Sequence, residues 1–144
     1  MRLSLHFELS EFTFSQTAIR KGIDNTPSEA VIENLKLLCT HILEPIRTGL
    51  GKPLRISSGY RSKALNKAIG GAANSQHITG QAADFTVQGM SVEEVYQWIK
   101  TSGIVFDQSI FEFGQWLHIS YATMARMQSL RAVKVNGKTV YLPD

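Results

Sequence analysis

Ser75-Gln76-His77-Ile78-Thr79-Gly80-Gln81-Ala82-Ala83-Asp84-Phe85-Thr86-Val87 is the stretch on which the fold turns. Its second half, Ala82 to Val87, is short, apolar and increasingly β-favouring, which predicts a strand. Gly80 supplies the turn that brings the chain back past the loop before it, because glycine takes left-handed backbone angles without steric cost. An imidazole, His77, thus stands on the approach loop and a carboxylate, Asp84, within the strand. A second imidazole follows in Trp116-Leu117-His118-Ile119-Ser120-Tyr121. That run alternates, with Trp116, His118 and Ser120 on one face and Leu117, Ile119 and Tyr121 on the other. If the two strands are neighbours, His118 faces the same spot as Asp84. Zinc in hydrolytic sites is typically held by three protein groups with a fourth position left for water, and His77, Asp84 and His118 meet that requirement.

Each of these residues also has a bland reading. The two histidines could be an isolated loop residue and an isolated strand residue, and Asp84 a turn carboxylate. Arg61, in Ser58-Gly59-Tyr60-Arg61-Ser62, follows a run, Leu54 to Ser58, that reads as a strand. There it can donate a fork of N–H groups to a carboxylate or to charge building on a cleaved carbonyl. It can equally be a solvated loop arginine, and the residues alone leave both open.

Ser75-x-His77-x-x-Gly80-x-Ala82-x-Asp84, then Trp116-x-His118, with Ser58-Gly59-Tyr60-Arg61-Ser62 upstream, resembles the D-Ala-D-Ala carboxypeptidase family of zinc peptidases. That family includes VanY-type carboxypeptidases and phage endolysin peptidases. The likeness covers nearly the whole chain, since Phe7-Glu8-Leu9-Ser10-Glu11-Phe12 and the segment through Leu43-Glu44-Pro45-Ile46-Arg47 look like the phage and prophage branch. It implies an α+β fold of the hedgehog and D-Ala-D-Ala peptidase kind, a small, mainly antiparallel sheet with helices packed on it. It also implies a zinc ion held by His77, Asp84 and His118, and hydrolysis of peptidoglycan stem or cross-bridge peptides. Arg61, Ser75 and Gln76 are then expected at the substrate. Some members carry an acidic residue three positions before the last histidine, where this chain has Gln115, which cannot act as a base. Other branches place it about five residues upstream, which is nearer Glu112; Glu112 is the expected general base, with Asp107 in reserve. A domain that holds zinc and binds wall peptide without cutting it is the alternative that Gln115 would permit.

The whole chain sets further bounds. At 144 residues a single domain, 1–144, is expected, too short for a separate recognition module. Apolar residues make up 43% and charged residues 19%, proportions of an ordinary globule, so disorder is expected only at the ends. The formal charge of +3 is scattered, with no basic stripe or interleaved aromatics, so nucleic acid is not an expected partner. Cys39 is the one cysteine, which excludes an intrachain disulfide; within Leu37-Leu38-Cys39 it reads as core packing. No apolar run follows Met1-Arg2, and no stretch approaches the ~20 apolar residues of a membrane span. Cytoplasmic synthesis without a signal peptide, then action on the bacterial cell wall after release, is the expectation, with lysis-coupled release of a phage protein as one route. A monomer is expected, on size alone.

The remaining elements follow from local signals. One short helix is expected from a Ser10 cap to about Arg20, closed by Lys21-Gly22. Thr26-Pro27-Ser28-Glu29 reads as a capping box with Thr26 as N-cap, opening a long helix whose Val31, Leu35, Leu38, Ile42 and Ile46 form the core stripe. Pro45 should bend it. His41 falls in that helix without an acidic or histidine partner four residues away, and reads as a structural histidine. Ser62 to Ala68 reads as a short helix, and Ser91 opens another with Val92, Val95, Trp98 and Ile99 inward. Asp107 to Phe113 reads as a strand, Gly114-Gln115 as a tight turn, and Asn136-Gly137 as the two-residue turn of a closing hairpin that is an edge ribbon or a flank of the cleft.

Overall fold

A computed structural model describes residues 1–144. Six strands form one sheet: β1 Leu54–Ser58, β2 Ala82–Val87, β3 Gln108–Glu112, β4 Trp116–Ser120, β5 Gln128–Val135 and β6 Lys138–Pro143. Their order across the sheet is β1-β2-β4-β3-β5-β6. Every pairing is antiparallel except β3 with β5, which is parallel. Six helices accompany it: α1 Leu9–Thr13, α2 Gln16–Lys21, α3 Glu29–Leu38, α4 Glu44–Leu50, α5 Lys63–Ala68 and α6 Val92–Thr101. The α+β class expected of the sequence is what the chain forms.

The two-residue period of the strands separates core from site. Ala83, Phe85 and Val87 of β2 and Leu117 and Ile119 of β4 join one hydrophobic cluster with Leu35, Leu38, Ile42 and Ile46 of the long helix and Val95 and Ile99 of α6. Phe85, Leu117 and Ile119 are essentially sealed from water, and burying each contributes roughly 1.5–3 kcal/mol. The intervening residues, Asp84 and His118, necessarily leave the opposite face.

The long helix is interrupted where Pro45 requires it. Cys39–Leu43 is a π-turn, and the Glu44 N–H reaches back to the Cys39 carbonyl. A proline ring inside a regular α-helix clashes with the carbonyl four residues earlier and removes a donor; one inserted residue opens the ladder at that point. Cys39, Ile42 and Leu43 on this turn are fully buried, so the insertion also feeds the core. His41 lies exposed on it, its ring stacked on Tyr121 at 5.0 Å and 11°, as a structural histidine.

Three local expectations are corrected. The first helix is two, because Phe14 takes an extended conformation and Ser15 starts a new helix, its Oγ accepting from the Ala18 N–H. The N-cap of α3 is Ser28, not Thr26: the Ser28 Oγ accepts from the Val31 N–H, while Thr26 donates its own N–H to Asp24 in a turn. Two cap-competent residues flank Pro27, and the later one wins. The β3–β4 turn is centred on Phe113-Gly114 rather than Gly114-Gln115, both with left-handed φ of 58° and 69°. The Phe113 ring packs edge-on against Trp116 at 5.9 Å, which offsets the unusual backbone of a bulky residue. The Asn136-Gly137 turn is as expected, with φ of 52° and 78°.

Gly80 is where the loop of His77 meets the long helix. Its φ is +75°, and a Cβ there would lie 2.8 Å from the Val31 carbonyl oxygen and 2.9 Å from Val31 Cγ1. Gly80→Ala is expected to cost about 1–3 kcal/mol, from left-handed strain plus displacement of a helix backbone. Urea unfolding of the two proteins measures it; a loss below a few tenths of a kcal/mol would show that the loop yields freely.

Candidate metal centre and active site

The register of the central strands places Asp84 directly opposite His118. His77 reaches the same point from the loop between α5 and β2. One ligand-capable atom from each of the three lies within 4.8 Å of the others. His77 Nε2 is 3.3 Å and His118 Nδ1 2.9 Å from Asp84 Oδ1, and the two rings stand edge-to-face at 5.1 Å.

The loop is stitched in place by backbone bonds. The His77 carbonyl accepts from the Arg61 N–H at 3.1 Å, and the His77 N–H is bonded to Ser75 Oγ at 3.2 Å. His77 Nδ1 lies 2.7 Å from the Gly59 carbonyl, which can only accept, so Nδ1 carries the proton. Nε2 then presents a lone pair to a carboxylate oxygen. Two electron-rich atoms facing each other in a buried pocket need a proton or a cation between them. The carbonyl that fixes the His77 tautomer is the kind of supporting contact that metal-bound histidines make. Two nitrogens and one carboxylate oxygen suit zinc, and the one thiol, Cys39, is sealed in the core.

Electrostatics agree with that geometry. Burial pushes the Asp84 carboxyl up, but His77 and His118 outweigh it and hold the group well below the usual carboxylate range. Burial lowers the His118 imidazolium, yet its hydrogen bond and attraction to Asp84 carry it above its ordinary value.

Arg61 and Glu112 flank the cluster. Arg61 follows β1 and sits with its guanidinium 3.5 Å from Asp84 Oδ2, steadied by Ser58 Oγ and by Asn66 Oδ1, each at 3.2 Å. Burial lowers its pKa, while Asp84 and Glu112 act in the other direction. Glu112 pairs across the sheet with Trp116, whose indole N–H donates to Glu112 Oε1 at 2.8 Å. The Glu112 carboxyl is raised above its usual range, first by burial and then by Asp84, against the pull of His118 and the Trp116 bond. Gln115 is exposed in the turn.

Ser75 and Gln76, expected at the substrate, are engaged within the chain: Ser75 with the His77 N–H, and Gln76 Nε2 with Asp107 Oδ2 at 3.0 Å. Asp107, the reserve base, is corrected to a structural role. Arg126 donates to its carboxylate from the backbone N–H, Nε and NH2 at 2.8–3.0 Å, and these bonds with the Gln76 amide hold its pKa down at about 2. A carboxylate so occupied is a poor proton acceptor. Sequence reasoning missed Arg126 and the buried Asn66, which also donates to the Ala72 carbonyl; no local pattern around either signals the contact. A surface cavity of about 450 Å³, lined by His41, Pro45, Ile104, Val105 and Tyr121 among others, holds none of the five site residues.

The Asp107 cluster yields a pH-dependent prediction. Its carboxyl is depressed in the folded chain from 3.8 to about 2, so its stabilisation is present above pH ~4 and is lost as pH falls through about 2. The carboxylate is buried but Arg126 is half exposed, which discounts the gain to about 1–2 kcal/mol. Asp107→Asn should lose that amount in urea unfolding at pH 7, with the gap narrowing toward pH 3. A gap independent of pH would remove the charge from the explanation.

Comparison with known proteins bears on the same residues. A segment is 44% identical over 43 residues to the zinc D-Ala-D-Ala carboxypeptidase of Streptomyces albus G, covering 29% of this chain and 17% of that enzyme. The family profile described as Peptidase M15 matches residues 5–120, a span that runs from before α1 to the end of β4 and takes in Arg61, His77, Asp84, Glu112 and His118. The chain belongs to the peptidase M15 family.

Proposed function

We propose that this chain is a zinc-dependent peptidase acting on peptidoglycan peptides, with His77, Asp84 and His118 as metal ligands, Glu112 as general base and acid, and Arg61 at the substrate. The observation that carries this reading is the meeting of two imidazoles and one carboxylate within 4.8 Å, beside a carboxyl whose proton affinity is raised. Zinc held there supplies a Lewis acid for the scissile carbonyl and lowers the pKa of a bound water toward about 7. Glu112 Oε1 is anchored by Trp116, which leaves Oε2 to accept a proton from the attacking water and return it to the leaving amine. Arg61, restrained by Ser58 and Asn66, donates to a substrate carboxylate or to the developing oxyanion. Ser75 and Gln76 serve this chemistry by fixing the loop of His77.

Cell-wall peptide is the substrate class supported by the family and by the name of the Streptomyces enzyme, of which this chain covers 17%. A phage or prophage origin rests on the likeness of Phe7 to Phe12 and of Leu43 to Arg47 to that branch. Mass spectrometry of defined muropeptides incubated with the zinc-loaded chain tests the reading. Release of terminal D-Ala or scission of a cross-link, stopped by a chelator and restored by zinc, is expected. Intact muropeptides alongside a metal-loaded protein would contradict it.

A further inference from the structure

The strand row that carries Glu112 continues beyond the site. Trp116 lies opposite Glu112 in β4, Ala132 beside Glu112 in β5, and Tyr141 opposite Ala132 in β6. Paired residues share a face, so Tyr141 leaves the sheet on the side of Asp84 and His118. Across that face the order is Arg61 after β1, Asp84, His118, Glu112, Ala132, then Tyr141. Ala132 is fully buried although it stands on this face, so its neighbours close over its methyl group. Tyr141 itself is half exposed. Its phenol senses the charges of the site: after burial, Glu112 and Asp84 raise its pKa. The β5–β6 hairpin lies outside residues 5–120, so it is additional to the segment matched by the family profile.

We propose that Tyr141 is a substrate-binding residue whose hydroxyl donates a hydrogen bond to an oxygen of the wall peptide several residues from the cleaved bond. Three strand spacings, about 14 Å, and a two-residue offset along the strands, since His118 pairs with Ile110 and not with Glu112, separate His118 from Tyr141 by about 16 Å, the length of roughly five extended peptide residues. The substrate class that reaches it is therefore a stem peptide of about five residues or a cross-linked one, and a terminal dipeptide is too short. This rests on the peptidase reading above.

Binding of two probes by calorimetry tests it, a stem pentapeptide ending in D-Ala-D-Ala and N-acetyl-D-Ala-D-Ala, each titrated into zinc-loaded Glu112→Gln protein so that no turnover intervenes. Adding Tyr141→Phe, which removes one oxygen from a half-exposed ring, should weaken the pentapeptide roughly five- to tenfold, the worth of one hydrogen bond, and leave the dipeptide unchanged. Zinc content and melting temperature should stay the same. Unchanged pentapeptide affinity, or equal losses for both probes, overturns the assignment. Should the unaltered chain neither bind nor cut wall peptides, the peptidase reading falls and this inference with it; cutting by the unaltered chain with binding indifferent to Tyr141 sinks the inference alone.

Discussion

His118→Ala is expected to lose bound zinc and peptide hydrolysis together. The imidazole is one of three groups whose ligand atoms lie within 4.8 Å of one another, and it is bonded at 2.9 Å to the carboxylate at the centre of the set. Removing a contact that only supports a metal ligand typically costs 10–100-fold in affinity or activity, so removing the ligand itself should cost more than about 100-fold in zinc affinity. Asp84 is left buried and negative, facing His77 and Arg61 alone, and the metal-free protein should lose stability as well. Zinc titration with a competing chelator and turnover on a stem peptide measure the two losses. Retained zinc with lost turnover would mean that His118 acts on the substrate instead.

Glu112→Gln is expected to do the reverse, keeping zinc affinity within a few-fold while turnover falls by roughly 10²–10⁴, the range that positioned acid–base catalysis supplies. Glutamine matches the size of glutamate and can still accept the Trp116 indole bond, so the hairpin geometry should persist. Only the ability to take a proton disappears. Full turnover in Glu112→Gln would overturn the base assignment and leave the metal cluster untouched, whereas a protein that also lost its zinc would place Glu112 among the ligands. The mutant pair separates metal binding from proton transfer, and so also tests the alternative of a wall-binding module that holds zinc without cutting.

What was legible in the sequence was what depends on short periods. The alternation of Trp116 to Tyr121 and the apolar run Ala82 to Val87 are local, and with the two strands adjacent they put Asp84 and His118 face to face. Asn136-Gly137 could be read because a two-residue turn with both φ values positive has few solutions. Cap choice was not legible, since Thr26 and Ser28 are both competent and only the packed helix selects between them. Phe113 in a left-handed conformation was not legible either, because what offsets it is the Trp116 ring across the turn. The largest omissions, Asp107 with Arg126 and Tyr141 in the cross-strand row of Glu112, share one origin. Both depend on β5 running parallel to β3, a pairing between segments joined by an irregular crossover that no local pattern announces. That pairing also joins the closing hairpin, expected as an edge ribbon or a flank of the cleft, to the main sheet with β6 at its edge.

X-ray absorption at the zinc edge of the zinc-loaded chain tests the metal centre most directly. The expected result is one zinc per chain with a first shell of nitrogen and oxygen at about 2.0–2.1 Å and the outer-shell pattern of two imidazole rings. A sulfur shell near 2.3 Å, an absence of imidazole scattering, or failure to take up zinc would contradict the convergence of His77, Asp84 and His118 on a single ion.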